Sequence, residues 1–433
     1  MASYPKERVF AIVDINNCYV SCERLFNPSL LCRPVIVLSN NDGCVVARSE
    51  EAKQLGIKMG QPVFQLRDMI RQHHIAVLSS NYALYGEMSK RFMSVLSHYV
   101  GTGEQEIYSI DECFLELTHH QNRINLTDYA HEIRNTILQW LGLPVCIGIG
   151  TSKTLAKIAN HLAKKNPAFN GVYNMLAIDP IHTEAFLTKL DTKEVWGVGR
   201  RHAAKLKTLN IHTVMDLMNV EPKYIRSHFS VVMERTVLEL NGTCCLELEE
   251  VVPDRQQIVC SRSFGSYVTE LPILQEALNF FALRAIEKLR GQQLLTNSIG
   301  VFIHTNRFNP QAAYHPYIIV NLTEATDDRL LIIKAASRGL SKIYKEGFKY
   351  KKAGIVLLNM VPRSKFLPSL FTDRELLEKR QNLSDVLDAI NQKFGRDTVD
   401  IANCSKNKAD WQMSQANKSP NYFMIDSLMQ IRH

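Results

Sequence analysis

Strand-like apolar runs alternate with segments of helical periodicity in the N-terminal part of the chain. The strand-like runs are rich in β-branched and aromatic residues and occupy 9–15, 34–38, 44–47, 106–117 and 144–150. Helical periodicity follows at 49–56, 81–100, 126–141 and from 151 onward. This alternation predicts a β-sheet platform with helices packed against it.

The pattern changes twice further along the chain. From residue 179 the apolar spacing is wholly helical, with helices predicted at 190–196 and 200–209. After a linker at 247–257, the predicted order is strand 258–264, helix 272–294, strand 298–304, strand 317–321, helix 327–344 and strand 353–358. This βαββαβ order is typical of a split-βαβ domain. Beyond it only 373–394 is helical, so the fold class is predicted to be α+β multidomain.

Length and composition agree with a folded protein of several domains. A chain of 433 residues is too long for one ordinary core, and its 45% hydrophobic and 22% charged content is that of a folded protein. No apolar run approaches the roughly 20 residues of a membrane span, which predicts no membrane association and a cytoplasmic location. The ten cysteines include no C-x-x-C pair and are interpreted as structural thiols. The net charge of +8 permits a polyanionic partner without requiring one.

Three acidic residues are the candidate chemical centre. Asp111 and Glu112 lie at the bend of the hairpin predicted at 106–117, and Asp14 ends the first strand. Because successive strand residues point to opposite faces, only a turn or bulge lets both hairpin acids reach one site. If the strands are neighbours, the three carboxylates converge and suit Mg²⁺ or Mn²⁺, which in pairs promote phosphoryl transfer. The alternative is a solvated turn and a helix cap.

Five segments of the sequence, taken in order, favour one of these alternatives. They are Asp14-Ile-Asn-Asn-Cys-Tyr19, residues 44–60, Tyr108-Ser-Ile-Asp-Glu112, residues 151–157 and residues 195–201. Together they resemble the motifs of Y-family (translesion) DNA polymerases. The resemblance implies a right-hand polymerase with a palm (1–25 and 86–175), small fingers (26–85), a helical thumb (176–246), a βαββαβ little finger (254–360) and a partner-binding C-terminal tail (361–433).

The resemblance also implies roles for individual residues. Asp14, Asp111 and Glu112 would be catalytic and, with the carbonyl of Ile15, would hold two Mg²⁺ ions, for which Mn²⁺ can substitute. Tyr19 would be the steric gate that excludes ribonucleotides, although a core tyrosine is the alternative. The residues implied in nucleotide binding are Asn16, Asn17, Cys18, Arg48, Ser49, Lys53 and Lys157. Two positions depart from the family: Cys18 replaces an aromatic residue, and Glu50 replaces a phosphate ligand, for which Arg48 or Ser49 would substitute.

Basic and glycine-rich segments are the candidate DNA contacts. Gly197 and Gly199 between two predicted helices indicate a helix-hairpin-helix, with Arg200 and Arg201 adding charge, although a plain helical hairpin fits as well. The candidates in the little finger are Ser261 and Arg262 on its first strand and Lys334, Arg338 and Lys342 on its second helix. A single-sign stripe on a helix also occurs as an ordinary solvated face.

The resemblance therefore predicts an error-prone polymerase that extends primer-template DNA with dNTPs past damaged bases in the SOS response. The sequence shows no second acidic cluster of the kind that forms an exonuclease site, which implies that the polymerase lacks proofreading. Trp411-Gln-Met413 and Ser419-Pro420 are similar to the tail of one bacterial branch, which implies partnership with a processed UmuD dimer and RecA. Residues 367–371 resemble a sliding-clamp peptide but lack its leading glutamine. The rival hypotheses are a non-catalytic DNA-binding scaffold of a repair complex and a nucleotidyl cyclase.

Overall fold

The computed structural model describes residues 8–249, 256–306, 313–369, 373–395, 398–399, 411 and 413–423. They form two compact units. Unit 1 comprises the described residues of 1–39, 43–252 and 417–433, and unit 2 those of 40–42 and 253–416. Within the described ranges, no helix combines the length and the apolar character that crossing a membrane requires.

Unit 1 contains two sheets and a helical region. Its strands are β1 Phe10–Ile15, β2 Val35–Leu38, β3 Val45–Arg48, β4 Ala76–Ser79, β5 Gln105–Ile107, β6 Glu112–Glu116, β7 Val145–Gly150 and β8 Val172–Asn174. Its helices are α1 Cys18–Phe26, α2 Glu50–Gln54, α3 Arg67–Gln72, α4 Tyr82–Leu96, α5 Leu126–Leu141, α6 Lys153–Lys165, α7 Pro180–Leu187, α8 Arg200–Thr208, α9 Val214–Met218, α10 Pro222–His228 and α11 Val231–Leu240.

The five-stranded sheet of unit 1 has the order β5-β6-β1-β7-β8, so β1 is its central strand. Every residue of β1 is buried, which explains its unbroken apolar sequence apart from Asp14. Helices α4 and α5 cover one face of the sheet, and α6 lies against the other. The smaller sheet has the order β3-β2-β4 and carries α2. The sequence predicts β2, β3 and α2, whereas β4 was not predicted.

The helical region corrects one prediction. The segment predicted as a helix at 190–196 contains only a single 3₁₀ turn, Thr192–Glu194, and the chain then turns at Gly197, whose φ is 85°. The second predicted helix is present as α8. The predicted helix-hairpin-helix therefore consists of a glycine turn followed by one helix, α8, and not of two helices joined by a hairpin.

Unit 2 contains the predicted βαββαβ order. Its elements are β9 Ile258–Val268, α12 Leu271–Gly291, β10 Leu294–Thr305, β11 Tyr317–Thr326, α13 Arg329–Ile343, β12 Tyr350–Pro362 and α14 Arg374–Phe394. The strand order is β11-β10-β12-β9, so β12 separates β9 from β10 as a split-βαβ arrangement requires. Helix α12 ends three residues before the predicted Leu294, which instead begins β10. Trp411 is buried with the core between the sheet and its helices.

Close packing of α6 on β7 depends on the glycines of β7, and the approach is closest at Gly148. A Cβ atom on Gly148 would lie 2.1 Å from the backbone nitrogen of Asn160 and 2.3 Å from the carbonyl oxygen of Ala156. Any larger side chain would therefore push α6 away from the sheet. We expect Gly148→Ala to lower the free energy of unfolding by about 2 kcal/mol, the usual scale of overpacking in a core.

Urea denaturation of the purified variants measures this change. The matched control is Gly86→Ala in α4, where a Cβ atom would meet open space. Because alanine favours the helix interior, that variant should be more stable by up to about 1 kcal/mol. Equal stabilities of Gly148→Ala and the unmodified protein would contradict the packing described for α6.

Candidate active site

The structure brings the three candidate acids to one end of β1. Asp14 lies directly opposite Glu112 in the antiparallel pair of β1 and β6. Directly opposite residues project to the same face, with Cβ atoms about 4.5–5.5 Å apart. Asp111 precedes β6, and its carbonyl oxygen accepts a hydrogen bond from the N–H of Ile15 at 2.9 Å. The two sequence segments therefore meet at the edge where β1 ends.

A tight bend before β6 allows consecutive acids to share this edge. The Ser109 hydroxyl donates to Asp111 Oδ1 at 2.7 Å and accepts from the backbone N–H groups of Asp111 and Glu112 at 3.2 and 3.0 Å. The backbone N–H groups of Tyr108 and Ser109 both donate to the carbonyl oxygen of Glu112. This local network interrupts strand alternation at the point where the sequence analysis requires a turn.

Helix α6 presents lysines to these acids. Lys157 Nζ lies 2.7 Å from Glu112 Oε1, and Lys164 Nζ lies 2.6 Å from Asp14 Oδ2. Lys157 is among the candidates predicted from the sequence, whereas Lys164 is not. The signal was available, because residues seven apart lie on the same face of a helix. A third lysine on this face, Lys153, is buried and pairs with Glu106.

Asp14 is the most deeply placed of these acids and is buried. Its exposed fraction is 8%. Burial raises the pKa of the Asp14 carboxyl to about 6, Lys164 opposes this rise, and the charges of Glu112 and Asp111 add to it. Negative charge is thus concentrated at this edge, and an additional cation would be attracted to it.

The donor set fits a hard divalent cation. It consists of carboxylate oxygens and backbone carbonyls, which Mg²⁺ and Mn²⁺ prefer. In the described part of the chain, no three His, Cys, Asp or Glu side chains are arranged as ligands of a common metal ion. The carboxylates contact Lys157, Lys164 and Ser109 instead. Because these partners are side chains, the carboxylates can reorient toward a cation without a change of backbone register.

Tyr19 lies in the first turn of α1, shortly after Asp14 in the sequence, and packs among other aromatic rings. Its ring stacks on Tyr85, with centroids 4.2 Å apart and an interplanar angle of 11°, and meets the edge of Tyr82 at 6.0 Å. Burial raises the pKa of the Tyr19 phenol to about 12, so the side chain is neutral at physiological pH. Tyr82 and Tyr85, whose rings contact Tyr19, are not among the residues predicted from the sequence. Cys18 is buried beside it.

The residues around the start of α1 are only partly exposed. Asn17 adopts the left-handed conformation that begins the helix, with φ of 50°. The Asn16 side-chain amide nitrogen donates to Cys146 Sγ at 3.2 Å, and the backbone carbonyl oxygen of Asn16 accepts from the Ser21 hydroxyl. These contacts fix the loop between β1 and α1.

The structure contradicts one predicted phosphate ligand on the smaller sheet. Ser49 is fully buried, and its hydroxyl oxygen accepts from the backbone N–H groups of Val35 and Ala52, which makes it the N-cap of α2. Lys53 is exposed and pairs with Glu50 at 2.9 Å. The Arg48 guanidinium donates to the carbonyl oxygen of Ile57. Only Lys53 and Arg48 remain as candidate phosphate ligands here.

The candidate DNA contacts of the helical region are accessible. Gly197, Gly199, Arg200 and Arg201 are all exposed. Gly199 is the N-cap of α8, so the two arginines occupy its first turn. A glycine turn followed by an exposed helix start leaves backbone N–H groups open to a phosphate.

The candidate DNA contacts of unit 2 divide between two sides of its sheet. Ser261 is exposed on the open face, whereas Arg262 points to the helical face and lies over the rings of Phe280 and Phe281 in α12. The two neighbouring candidates therefore lie on different faces of the sheet. The three cations Lys334, Arg338 and Lys342 are exposed on α13, also on the helical face. Lys334 and Arg338 line a groove beside α14.

The proposed clamp peptide is only partly described. Leu367 is 88% exposed, while Leu370 and Phe371 lie outside the described residues. In the C-terminal tail, which resembles the tail of one bacterial branch of the Y-family polymerases, Trp411 is buried and Ser419 is half-buried. Gln412 lies outside the described residues.

Comparisons with known families match most of the chain. Residues 13–161 match the model of the impB/mucB/samB family, and residues 255–369 match the model of its C-terminal domain. Residues 381–423 match the model of a domain of unknown function. The first match contains all three acids and Tyr19.

Similar proteins extend over nearly the whole chain. Protein UmuC of Salmonella typhimurium is 43% identical over 419 residues, covering 96% of this chain and 97% of the relative. Protein MucB of Escherichia coli is 41% identical and covers 89% of this chain and 90% of the relative. DNA polymerase IV of Desulfatibacillum aliphaticivorans is 26% identical, with coverages of 92% and 96%.

Solved structures show the same fold. A Y-family DNA polymerase chimera of Dbh and Dpo4 aligns with a TM-score of 0.65 and 20% identity, covering 82% of this chain and 99% of the other. The insertion ternary complex of Dbh DNA polymerase aligns over the same fractions with a TM-score of 0.51, also at 20% identity. Matches at this identity support the fold class predicted from the sequence.

Proposed function

We infer that this chain, which belongs to the impB/mucB/samB family and is a UmuC-like Y-family DNA polymerase, extends a primer on a DNA template by transferring nucleotides from dNTPs. The observation that carries this inference is the meeting of Asp14, Asp111 and Glu112 at the end of β1. The 43% identity to protein UmuC over 96% of the chain supports it.

The three acids would act as a unit. Asp14, Asp111 and the carbonyl of Ile15 would hold one divalent ion, and Asp14, Asp111 and Glu112 a second. Two Mg²⁺ ions, or Mn²⁺ in their place, would lower the pKa of the primer 3′-hydroxyl and neutralise charge on the triphosphate. The tight bend at Ser109 fixes the backbone of Asp111 and Glu112 before the substrate binds, so that only their side chains would reorient toward the cations.

The lysines of α6 have a complementary role. Lys157 lies over the ring of Tyr108, 4.4 Å from its centroid, as well as beside Glu112. From this position its ammonium group would contact the triphosphate once cations occupy the acids. Lys164 would neutralise Asp14 in the free protein, where the buried carboxylate otherwise has an unfavourable charge. Lys53 and Arg48 would add charge on the smaller sheet.

Tyr19 would reject ribonucleotides by occupying the space of a 2′-hydroxyl. Its stacking on Tyr85 restricts the ring, so an extra oxygen atom would meet a packed surface. The neighbouring Asn16, Asn17 and Cys18 would line the start of α1, whose first N–H groups would face the triphosphate.

DNA contacts would come from both units. Gly197, Gly199, Arg200 and Arg201 would bind a phosphate backbone without reading sequence. On unit 2, Ser261 on the open sheet face is the better-placed candidate, because Arg262 contacts α12. The exposed cations Lys334, Arg338 and Lys342 lie on the helical face of unit 2 and would meet a different part of a nucleic acid or another anionic partner.

We further propose bypass of damaged bases in the SOS response, without proofreading and in the cytoplasm. A processed UmuD dimer, RecA and the sliding clamp remain predicted partners, supported by the similarity of the tail and the identity to protein UmuC. The boundaries of palm, fingers, thumb and little finger likewise remain predictions within the two units.

Primer extension separates this function from a non-catalytic DNA-binding scaffold. We expect template-directed incorporation of dNTPs by the full chain on an abasic template with Mg²⁺, with UmuD fragment and RecA filament added in a parallel series. A chain that binds primer-template DNA but adds no nucleotide in either series would support the scaffold. Formation of a cyclic nucleotide from the triphosphate alone would identify a nucleotidyl cyclase.

A further inference from the structure

The C-terminal segment 417–423 docks on unit 1 beside the end of β4. The backbone N–H of Ser79 donates to the carbonyl oxygen of Asn417 at 3.0 Å, and the N–H of Asn417 donates to Ser79 Oγ at 3.0 Å. Lys418 forms a parallel bridge with Ser79. The ring of Tyr422 stacks on Phe26 of α1 at 4.6 Å. Main-chain and ring contacts thus fix the segment at both of its ends.

The same segment binds the residue that caps α4. The Asn81 amide nitrogen donates to Ser419 Oγ at 2.9 Å and to the carbonyl oxygens of Ser419 and Pro420 at 3.3 and 3.2 Å. Asn81 is the N-cap of α4, and its carbonyl oxygen accepts from the N–H of Tyr85 at 3.1 Å. The first turn of α4, which carries Tyr82 and Tyr85, is therefore held from outside by the tail.

A buried carboxylate links Ser419 to the aromatic stack. The Ser419 hydroxyl donates to Glu23 Oε1 at 3.0 Å, and the Tyr85 hydroxyl donates to the same oxygen at 2.7 Å. Glu23 is 1% exposed, and none of the ion pairs in the described ranges includes it. Burial raises the pKa of its carboxyl, and the two hydroxyl donors oppose that rise. The Tyr85 ring then stacks on Tyr19.

We propose that residues 417–423 are a positioning element for Tyr19, which they hold through Ser419, Glu23 and Tyr85, and that they thereby set the discrimination between deoxyribose and ribose. This inference rests on the proposed function of Tyr19 as the steric gate. It gives a role to the end of the segment that matches a domain of unknown function. Ser419 is a positioning residue, since it contacts Glu23 and Asn81 and acts on the nucleotide only through them.

The first test measures dNTP and rNTP incorporation by single-turnover kinetics of the full chain. Ser419→Ala removes one donor to a buried carboxylate and should lower sugar discrimination about fivefold, the factor that a net hydrogen bond represents. Tyr85→Phe should have a similar effect while keeping the ring. Both variants should retain their efficiency with dNTPs, and Ser419→Thr should restore discrimination.

Two comparisons isolate the route through Tyr19. Ser414→Ala is the matched control, because Ser414 is an exposed tail residue whose N–H, and not its hydroxyl, contacts Asn41. In a Tyr19→Ala background, Ser419→Ala should change discrimination no further. An equal effect of Ser419→Ala with and without Tyr19 would overturn the proposal.

A spectroscopic measurement makes the test independent of catalysis. The ¹⁹F resonance of Tyr19 in 3-fluorotyrosine-labelled protein is assigned with Tyr19→Phe. It should shift or broaden in Ser419→Ala and stay unchanged in Ser414→Ala. An unchanged resonance in Ser419→Ala would refute the coupling. If the unmodified chain adds no dNTP at all, the proposed polymerase function fails, while the resonance still decides whether the tail positions Tyr19.

Discussion

Replacement of Asp111 by alanine is expected to slow nucleotide incorporation by about three orders of magnitude, the scale of losing one group that stabilises charge in a transition state. Asp111 contributes its carboxylate to the acidic edge, and its carbonyl oxygen, which alanine keeps, joins it to Ile15. The substitution therefore removes the charge and leaves the backbone pairing. Single-turnover primer extension with Mg²⁺ measures the rate.

Binding of primer-template DNA should remain nearly unchanged in Asp111→Ala, because the proposed DNA contacts lie elsewhere. Fluorescence anisotropy of a labelled duplex measures this binding. Glu132→Ala is the matched control, since Glu132 is an exposed acid on α5, and it should leave both rate and binding intact. Synthesis at a normal rate by Asp111→Ala would refute its catalytic role.

Tyr19→Ala carries the second largest expected effect. Removing the ring opens the space that a 2′-hydroxyl would occupy, and relief of about 1–3 kcal/mol of overlap corresponds to about a 5- to 150-fold gain in the relative use of rNTPs. Incorporation of dNTPs should fall far less. The ratio of kcat/KM values for matched dNTP and rNTP measures the discrimination.

A tyrosine outside the stack provides the control for this variant. Tyr224→Ala on α10 removes a partly exposed ring and should leave the ratio unchanged. If Tyr19→Ala rejects ribonucleotides as strongly as the unmodified chain does, Tyr19 is a core tyrosine, the alternative that the sequence leaves open.

The arrangement of the acids could be predicted because strand patterns constrain it strongly. An apolar strand that ends in Asp14, and a hairpin with two acids at its bend, leave few ways to pair when both strands are buried. The order of strands and helices in unit 2 could also be predicted, because the apolar periodicity of the sequence changes clearly between strand and helix. Family motifs then gave these positions a chemical meaning.

Side-chain direction and local capping were harder to predict. Arg262 follows the alternation of β9 onto the helical face, but a run of two serines and an arginine does not show which face binds DNA. Ser49 is a helix cap instead of a ligand, and both uses favour the same residue type. The segment 190–196 contains a single 3₁₀ turn, and the backbone N–H of Thr192 donates to the carbonyl oxygen of His212 instead of to a helical partner.

The contacts of the C-terminal tail could not be predicted from any sequence pattern. Ser419 meets Glu23 across a separation of 396 residues, and no periodicity relates the two positions. The position of Lys164 could be predicted only in part. Its spacing from Lys157 places both on one helical face, but the identity of Asp14 as its partner depends on how α6 crosses the sheet.

Binding of Mn²⁺ tests the central role of the three acids most directly, because it does not depend on catalysis. Electron paramagnetic resonance can count the ions bound by the full chain with primer-template DNA and a non-hydrolysable dNTP. We predict two bound ions for the unmodified chain and for Glu132→Ala, and the loss of at least one in both Asp14→Asn and Asp111→Ala. Equal Mn²⁺ binding by all four proteins would contradict a metal site at the end of β1.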